Sequence, residues 1–328
     1  MAHKRLHVIA TRRLPAAVEA RLDALFDFTP GPQEAPLSGE ALAAALGRAQ
    51  VLVTTLSERI DAASLDAAGR ELRLIANYGA GVDHIDVAAA EARGIAVTNT
   101  PDVVTEDTAD VTMVLILAVT RRLPEAFALL QSGGWEGWSP DLLLGGRIHG
   151  RSLGILGMGR IGQAVARRAA AFGMRIGYHN RNRLPQALEN ELGARWWPSL
   201  DQMIAKCDVL SINCPHTPAT YHLVNARRIA LMKPGAVVVN TSRGEVIDEN
   251  ALTRALRAGE IAGAGLDVFE QRREINPRLR ALPNVVLLPH MGSATVEGRL
   301  AMGERVIANI EALARGEALR DPVTPRDI

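Results

Sequence analysis

The hexapeptide Gly157-Met158-Gly159-Arg160-Ile161-Gly162 directly follows an apolar run (LGILG, 153–157) and opens a helical pattern that continues to Phe172. Few short sequences constrain a fold as tightly. In a strand, turn and helix of this kind the first glycine permits the tight turn and the second lets the backbone approach a pyrophosphate. The third lets the helix close on the strand, and the first helical turn offers its amides to the anion. The motif therefore calls for a parallel sheet covered by helices, with Gly157, Gly159, Arg160, Ile161 and Gly162 in contact with a dinucleotide.

The rest of the chain fits such a sheet. Uninterrupted apolar runs recur at 174–180 (MRIGYHN), 208–213 (DVLSIN), 236–242 (AVVVNTS), 263–269 (GAGLDVF) and 285–290 (VVLLPH), as strands buried on both faces should read. An earlier alternation places strands at 6–10, 51–55, 72–78 and 95–100, with helices over 15–25, 61–68 and 86–93 between them. A helix over 105–122, acidic at its start and ended by Arg121, Arg122 and Pro124, connects the two halves. The glycine-rich stretch 131–150 is a loop, and 294–315 is an amphipathic helix able to pack on either half. With 328 residues the chain has room for about two domains. Aromatics are only 4% of it, so the core must be aliphatic.

An NAD-binding unit of this type carries an acidic residue about 20 positions beyond the first glycine, where it bonds the ribose hydroxyls. Here the second strand ends Tyr178-His179-Asn180-Arg181-Asn182-Arg183, and no acid follows until Glu189. With no carboxylate to repel it, a ribose 2'-phosphate can sit against Arg181, with Asn180 and Arg183 adding donors. NADP(H) is the expected cofactor and NAD(H) the alternative.

Chemistry is expected outside the carboxyl ends of the strands. Three later strands deliver polar residues there: Cys214 with Pro215 after one, Thr241, Ser242 and Arg243 after the next, and His290 after VVLLP. Arg243 can bind a carboxylate and polarise a neighbouring keto oxygen, and His290 can protonate that oxygen as hydride reaches the carbon.

Taken together, GILGMGRIG, SINCPHTPAT, MKPGAVVVNTSRGEVID, AGAGLDVFE, LPNVVLLPHMGSAT and the earlier NYGAGVDHID resemble the D-isomer specific 2-hydroxyacid dehydrogenase family across nearly the whole chain. The resemblance implies an α/β chain in which a Rossmann domain, 102–290, is inserted into a discontinuous flavodoxin-like substrate domain, 1–101 and 291–328. It further implies a site in the cleft and a homodimer built through the inserted domain. Ala80 and Gly81 would bind the substrate carboxylate through backbone amides, with Leu56 nearby and Arg243 completing the clamp. Thr105, Asp267, Thr220 and Gly292 would join the cofactor contacts. The stretch GGWEGWSP is similar to that of glyoxylate and hydroxypyruvate reductases, which would place Trp138 in the neighbouring subunit's site.

One position departs from the family. Its members read D-V-F-x-x-E-P, the glutamate pairing with the catalytic histidine, whereas this chain reads Asp267-Val268-Phe269-Glu270-Gln271-Arg272-Arg273. A carboxylate beside His290 would favour the imidazolium, and a cation disfavours it. Glu270 or Glu274, each two residues from Arg272, is the candidate replacement. The expected function is NADPH-dependent reduction of glyoxylate or hydroxypyruvate. The alternatives are reduction of larger 2-keto acids, formate oxidation, or a weakly active dinucleotide-sensing protein.

Net charge excludes other classes. Lys and Arg number 37 against 36 Asp and Glu, so no long-range field exists to hold nucleic acid or an acidic membrane surface. No apolar run is long enough to span a bilayer. Cys214, His216 and His222 match no common zinc spacing, so no metal is expected. Two cysteines are too few for a disulfide framework, which points to a reducing, cytoplasmic setting.

Overall fold

The computed structural model describes residues 5–271 and 274–325. The chain forms two compact units, Met1–Val104 with Ala294–Ile328, and Thr105–Ser293.

The first unit is built on five parallel strands, β1 (His7–Ala10), β2 (Asp27–Thr29), β3 (Val51–Thr54), β4 (Leu74–Asn77) and β5 (Ala96–Thr98), in the order β2-β1-β3-β4-β5. This is the flavodoxin-like order. The interior strands β3 and β4 are buried along their whole length, which is why they read as plain apolar runs. Edge strand β2 (DFT) is exposed at both ends and leaves no hydrophobic signal; it was not anticipated. The carboxyl-terminal helix Val296–Arg315 belongs to this unit. Thr295 caps it by accepting the Gly298 N–H at 2.8 Å, and its buried face, Met302, Val306, Ile307 and Ile310, packs with Val8, Val18 and Leu22. Burial of each such side chain contributes about 1.5–3 kcal/mol. Gly303 sits so close to Val18 that a Cβ there would lie 2.3 Å from a valine methyl.

The second unit has seven parallel strands, β6 (Ser152–Leu156), β7 (Arg175–His179), β8 (Ala194–Trp196), β9 (Val209–Ile212), β10 (Val237–Asn240), β11 (Gly263–Leu266) and β12 (Val285–Leu287). Their order is β12-β11-β10-β9-β6-β7-β8, a doubly wound sheet whose chain direction reverses between β6 and β9. His179, Leu156, Ile212, Asn240, Leu266 and Leu287 pair in one continuous row. Six strands thus end level with one another.

The connecting helix stops earlier than its apolar pattern suggests. It spans Thr105–Thr120, Arg122 turns left-handed at φ 55°, and a second helix, Leu123–Gln131, follows. Pro124 therefore starts a helix instead of ending one; in a first helical turn its missing N–H has no intrahelical partner to lose. That second helix has no buried residue.

Candidate active site

Because the strands run parallel and end in register, the residues that follow them collect along one edge of the sheet. Gly157 comes after β6, Asn180 after β7, Asn213 and Cys214 after β9, Thr241 after β10, Asp267 after β11, and His290 three residues beyond β12.

The glycine loop has the shape a pyrophosphate requires. Gly157 adopts φ 96°, and a Cβ on it would lie 2.6 Å from the Cys214 nitrogen. A Cβ on Gly162 would lie 2.3 Å from the Gly157 carbonyl oxygen, whereas one on Gly159 would meet no protein atom within 4 Å. The open side of the loop is thus at Gly159, the N-cap of helix Arg160–Ala171, where Arg160 and Ile161 supply the first turn. These residues fit a dinucleotide. Cys214 forms the wall behind Gly157, and burial pushes its thiol up to about 12.

The end of β7 differs in part from expectation. Asn180 Oδ1 accepts the Met158 N–H at 2.7 Å, so its side chain braces the glycine loop. Arg181 is exposed and has no hydrogen bond or ion pair among the described residues. Arg183, expected beside a 2'-phosphate, is instead bound to Glu189. Its Nε and Nη2 donate to the two carboxylate oxygens at 2.9 and 2.6 Å. Glu189 also accepts the Tyr178 hydroxyl at 2.6 Å. Arg183, then Tyr178, hold the Glu189 carboxyl down at about 2, and burial, reinforced by Glu189, pushes the Tyr178 phenol up to about 12. This charge-assisted, two-point pair fixes the Nε and Nη2 side of the guanidinium.

Other expected cofactor residues prove to shape the edge. The Thr220 hydroxyl accepts the Thr217 N–H and donates to the Pro215 carbonyl, both at 2.7 Å, latching its own loop. Thr241 bonds the Thr112 hydroxyl at 2.8 Å, tying β10 to the helix that Thr105 begins. Asn240, almost fully buried, went unnoticed in the sequence. Its Oδ1 accepts the Ser242 N–H and hydroxyl, and its Nδ2 donates to the Arg243 carbonyl at 2.8 Å. The turn that presents Arg243 is therefore fixed from beneath. Arg243 itself is half-buried, with Nη1 donating to the Ser242 carbonyl at 2.8 Å.

His290 stands at φ 56°, a left-handed conformation that costs a residue with a Cβ roughly 1–2 kcal/mol. Asp267 holds it there. This carboxylate, 0% exposed, accepts the N–H groups of Met291 at 2.7 Å and Gly292 at 2.8 Å, and Thr108 donates to the Gly292 carbonyl at 3.1 Å. Burial raises the Asp267 carboxyl above its usual range, opposed by these amides. Asp267, expected to touch the cofactor, thus acts on the histidine turn.

The expectation that Glu270 partners His290 is overturned. Glu270 Oε1 lies 2.8 Å from His222 Nε2, and Oε2 accepts the Glu249 N–H at 3.3 Å. The Glu270 N–H in turn donates to Glu249 Oε2 at 3.0 Å. Both carboxylate oxygens are committed away from His290, because the chain bends at Glu270 and meets the first residue of helix Glu249–Ala258. Arg272 lies outside the described residues, and Glu274 is exposed.

In the other unit the loop after β4 carries Ala80 and Gly81. Neither N–H has an acceptor among the described residues. Leu56 packs against this loop, its Cδ2 lying 2.6 Å from where a Gly79 Cβ would stand. Successive free amides of this kind form an anion-binding concavity. Trp138 is 83% exposed on the glycine-rich loop.

Comparison with known proteins agrees with this geometry. The family model for the NAD binding domain of D-isomer specific 2-hydroxyacid dehydrogenases matches residues 113–292. The glyoxylate reductase of Thermococcus onnurineus is 47% identical over 314 residues, 94% of this chain and 93% of its own. That of Aeropyrum pernix is 45% identical over 321 residues, 96% of this chain and 94% of its own. Among solved structures, the NADPH-dependent glyoxylate/hydroxypyruvate reductase of Sinorhizobium meliloti, in complex with NADP and malonate, aligns with a TM-score of 0.86 at 37% identity and covers 97% of each chain. These likenesses run through both units, and the chain belongs to the D-isomer specific 2-hydroxyacid dehydrogenase family, as an NAD(P)-dependent oxidoreductase of 2-keto acids.

Proposed function

We propose that the chain reduces a small 2-keto acid, glyoxylate or hydroxypyruvate, to glycolate or D-glycerate with NADPH. When bound, the reduced cofactor supplies a hydride to C2. Arg243 and the amides of Ala80 and Gly81 hold the substrate carboxylate, and Arg243 also polarises the keto oxygen. His290 gives that oxygen its proton, so the C=O becomes CH–OH. The observation that carries the substrate class is the pair of amides at Ala80 and Gly81 that have no acceptor among the described residues, read together with relatives named glyoxylate reductase over almost the whole chain. NADPH is favoured by a neutral Asn180 and an unengaged Arg181 at the end of β7.

A second copy of the chain is the proposed cover for the exposed helix Leu123–Gln131 and the loop bearing Trp138. Two free, buried cysteines suit a reducing cytoplasm.

Initial rates for a panel of 2-keto acids with NADPH and NADH, across mildly acidic to neutral pH, test the reading. Glyoxylate and hydroxypyruvate with NADPH should give the highest kcat/KM. Tight NADPH binding with turnover of no keto acid would instead indicate a dinucleotide sensor.

A further inference from the structure

Asn77 closes β4 and is 0% exposed. Its Nδ2 donates to two carbonyls of the following loop, Gly79 at 2.8 Å and Gly81 at 2.9 Å. Asn99, just past β5, donates from its Nδ2 to the carbonyl between them, Ala80, at 2.7 Å. The Thr100 N–H adds a bond to the Gly79 carbonyl at 3.1 Å. Three successive carbonyls are thus drawn to side-chain donors. In a trans peptide the C=O and the next N–H point in opposite directions, and no peptide in the described residues is cis. Fixing these carbonyls therefore turns the N–H groups of Ala80, Gly81 and Val82 the other way, where they have no acceptor among the described residues.

We infer that Asn77 and Asn99 are positioning residues that pre-form the carboxylate-binding face of the Gly79–Val82 loop. An unrestrained loop would have to select this conformation on binding, and each anion bond would be weaker for it. The glycine at 79 leaves room for Leu56, whose Cδ2 a larger residue there would have to push aside. The inference rests on the proposed carboxylate role of this loop.

The test is binding of oxalate, an unreactive two-carbon carboxylate, to the NADPH-loaded protein by calorimetry, alongside KM and kcat for glyoxylate. Asn99→Ala, at a half-buried position, and Asn77→Asp are compared with the parent chain. Losing one orienting bond should weaken oxalate binding and raise the glyoxylate KM by about fivefold or more, with kcat less affected and NADPH affinity unchanged. In Asn77→Asp an ionised oxygen faces two carbonyls, and protonation restores a single O–H donor. Its oxalate deficit should therefore shrink as pH falls, a response that mere loss of packing would not give. If Asn77→Asp does not fold, Asn99→Ala alone decides. Variants that bind oxalate as the parent does would overturn the inference and leave the carboxylate role intact. A parent chain that binds no oxalate and turns over no keto acid would overturn both.

Discussion

Glu270 and His222 are joined at 2.8 Å, Oε1 to Nε2, and through Glu249 the pair links the segments that follow β9, β10 and β11. His222 is itself held left-handed at φ 46° and stacks on Tyr221 with ring centroids 4.0 Å apart. The glutamate consequently supports the block beneath Arg243 without serving as the proton partner of His290.

Glu270→Gln should accordingly act on stability first. Replacing a charge-assisted bond with a neutral one is expected to cost about 1–2 kcal/mol, a fall of a few degrees in Tm for a unit of this size. The pH at which kcat/KM for keto-acid reduction declines should stay where it is. A shifted alkaline limb in this variant would show that Glu270 reaches His290 after all.

Arg181 and Arg183 lie two residues apart and should respond differently. Arg181→Ser removes a cation that has no hydrogen bond or ion pair among the described residues, and the NADPH KM should rise about tenfold with the NADH KM unchanged, the ratio expected for one phosphate contact. Arg183→Ser strips Glu189 of its partner and should lower Tm with a smaller effect on cofactor preference. Equal loss of NADPH preference in both variants would return Arg183 to the cofactor site.

The same pair sets a pH dependence. The Glu189 carboxyl, ordinarily near 4.5, stays ionised in the folded chain down to about 2. Between those values the unfolded chain binds the extra proton, so the stability contributed by the carboxylate is complete above the window and is lost as pH falls through it. At the alkaline end Tyr178, raised from 10.0 to about 12, keeps its proton only when folded, and its contribution fades as pH climbs through that range. The Tm gap between the parent chain and Glu189→Gln should be largest near neutrality and close in acid. A gap independent of pH would mean that Glu189 is not held ionised by Arg183.

The Rossmann sheet was legible because β6, β9 and β10 are buried on both faces and therefore spelled as unbroken aliphatic runs. Strands β2 and β8, three residues each and partly exposed, carry no such spelling. The glycine loop was equally plain, each glycine answering one steric demand. The Arg183–Glu189 pair was not legible, because Glu189 lies six residues on across a turn that periodicity does not reveal. Glu270 was misread because two-residue spacing predicts a shared face only in extended chain, and this segment turns. Asn77 and Asn240 were overlooked, yet LIAN and VVVN share a signal: an asparagine ending a fully buried run needs nearby acceptors for its carboxamide N–H groups, and the carbonyls of the turn just beyond supply them.

Exposed apolar side chains lie where the proposed second copy would bind. Helix Leu123–Gln131 has no fully buried residue, Phe127 and Leu130 are both 60% exposed, and on the following loop Leu144 is 67% and Trp138 83% exposed. Large apolar side chains left exposed in such number ordinarily signal a partner. Phe127→Asp should convert a sedimenting dimer into a monomer and, through loss of the partner's Trp138 loop, raise the glyoxylate KM. A parent chain that sediments as a monomer at micromolar concentration would rule this out.

In the sequence, Arg272 stands where the family pattern D-V-F-x-x-E-P carries its glutamate, and Glu270 bonds His222 instead of His290. A cation near an imidazole disfavours its protonated form, whereas a carboxylate within about 4–6 Å favours it. With His290 as the proposed proton donor, reduction draws on its imidazolium form, and the expected outcome is that the parent chain reduces glyoxylate best under mildly acidic conditions and loses rate early as pH rises. Arg272→Glu should raise kcat for reduction and move the alkaline limb upward by about one pH unit or more, the scale of a single close charge reversal. Arg272→Gln, which removes the cation without adding an anion, should fall between the two. Coincident pH profiles for all three would mean that this position does not tune His290, and the proton would then have to be held by some other arrangement of the turn that Asp267 supports.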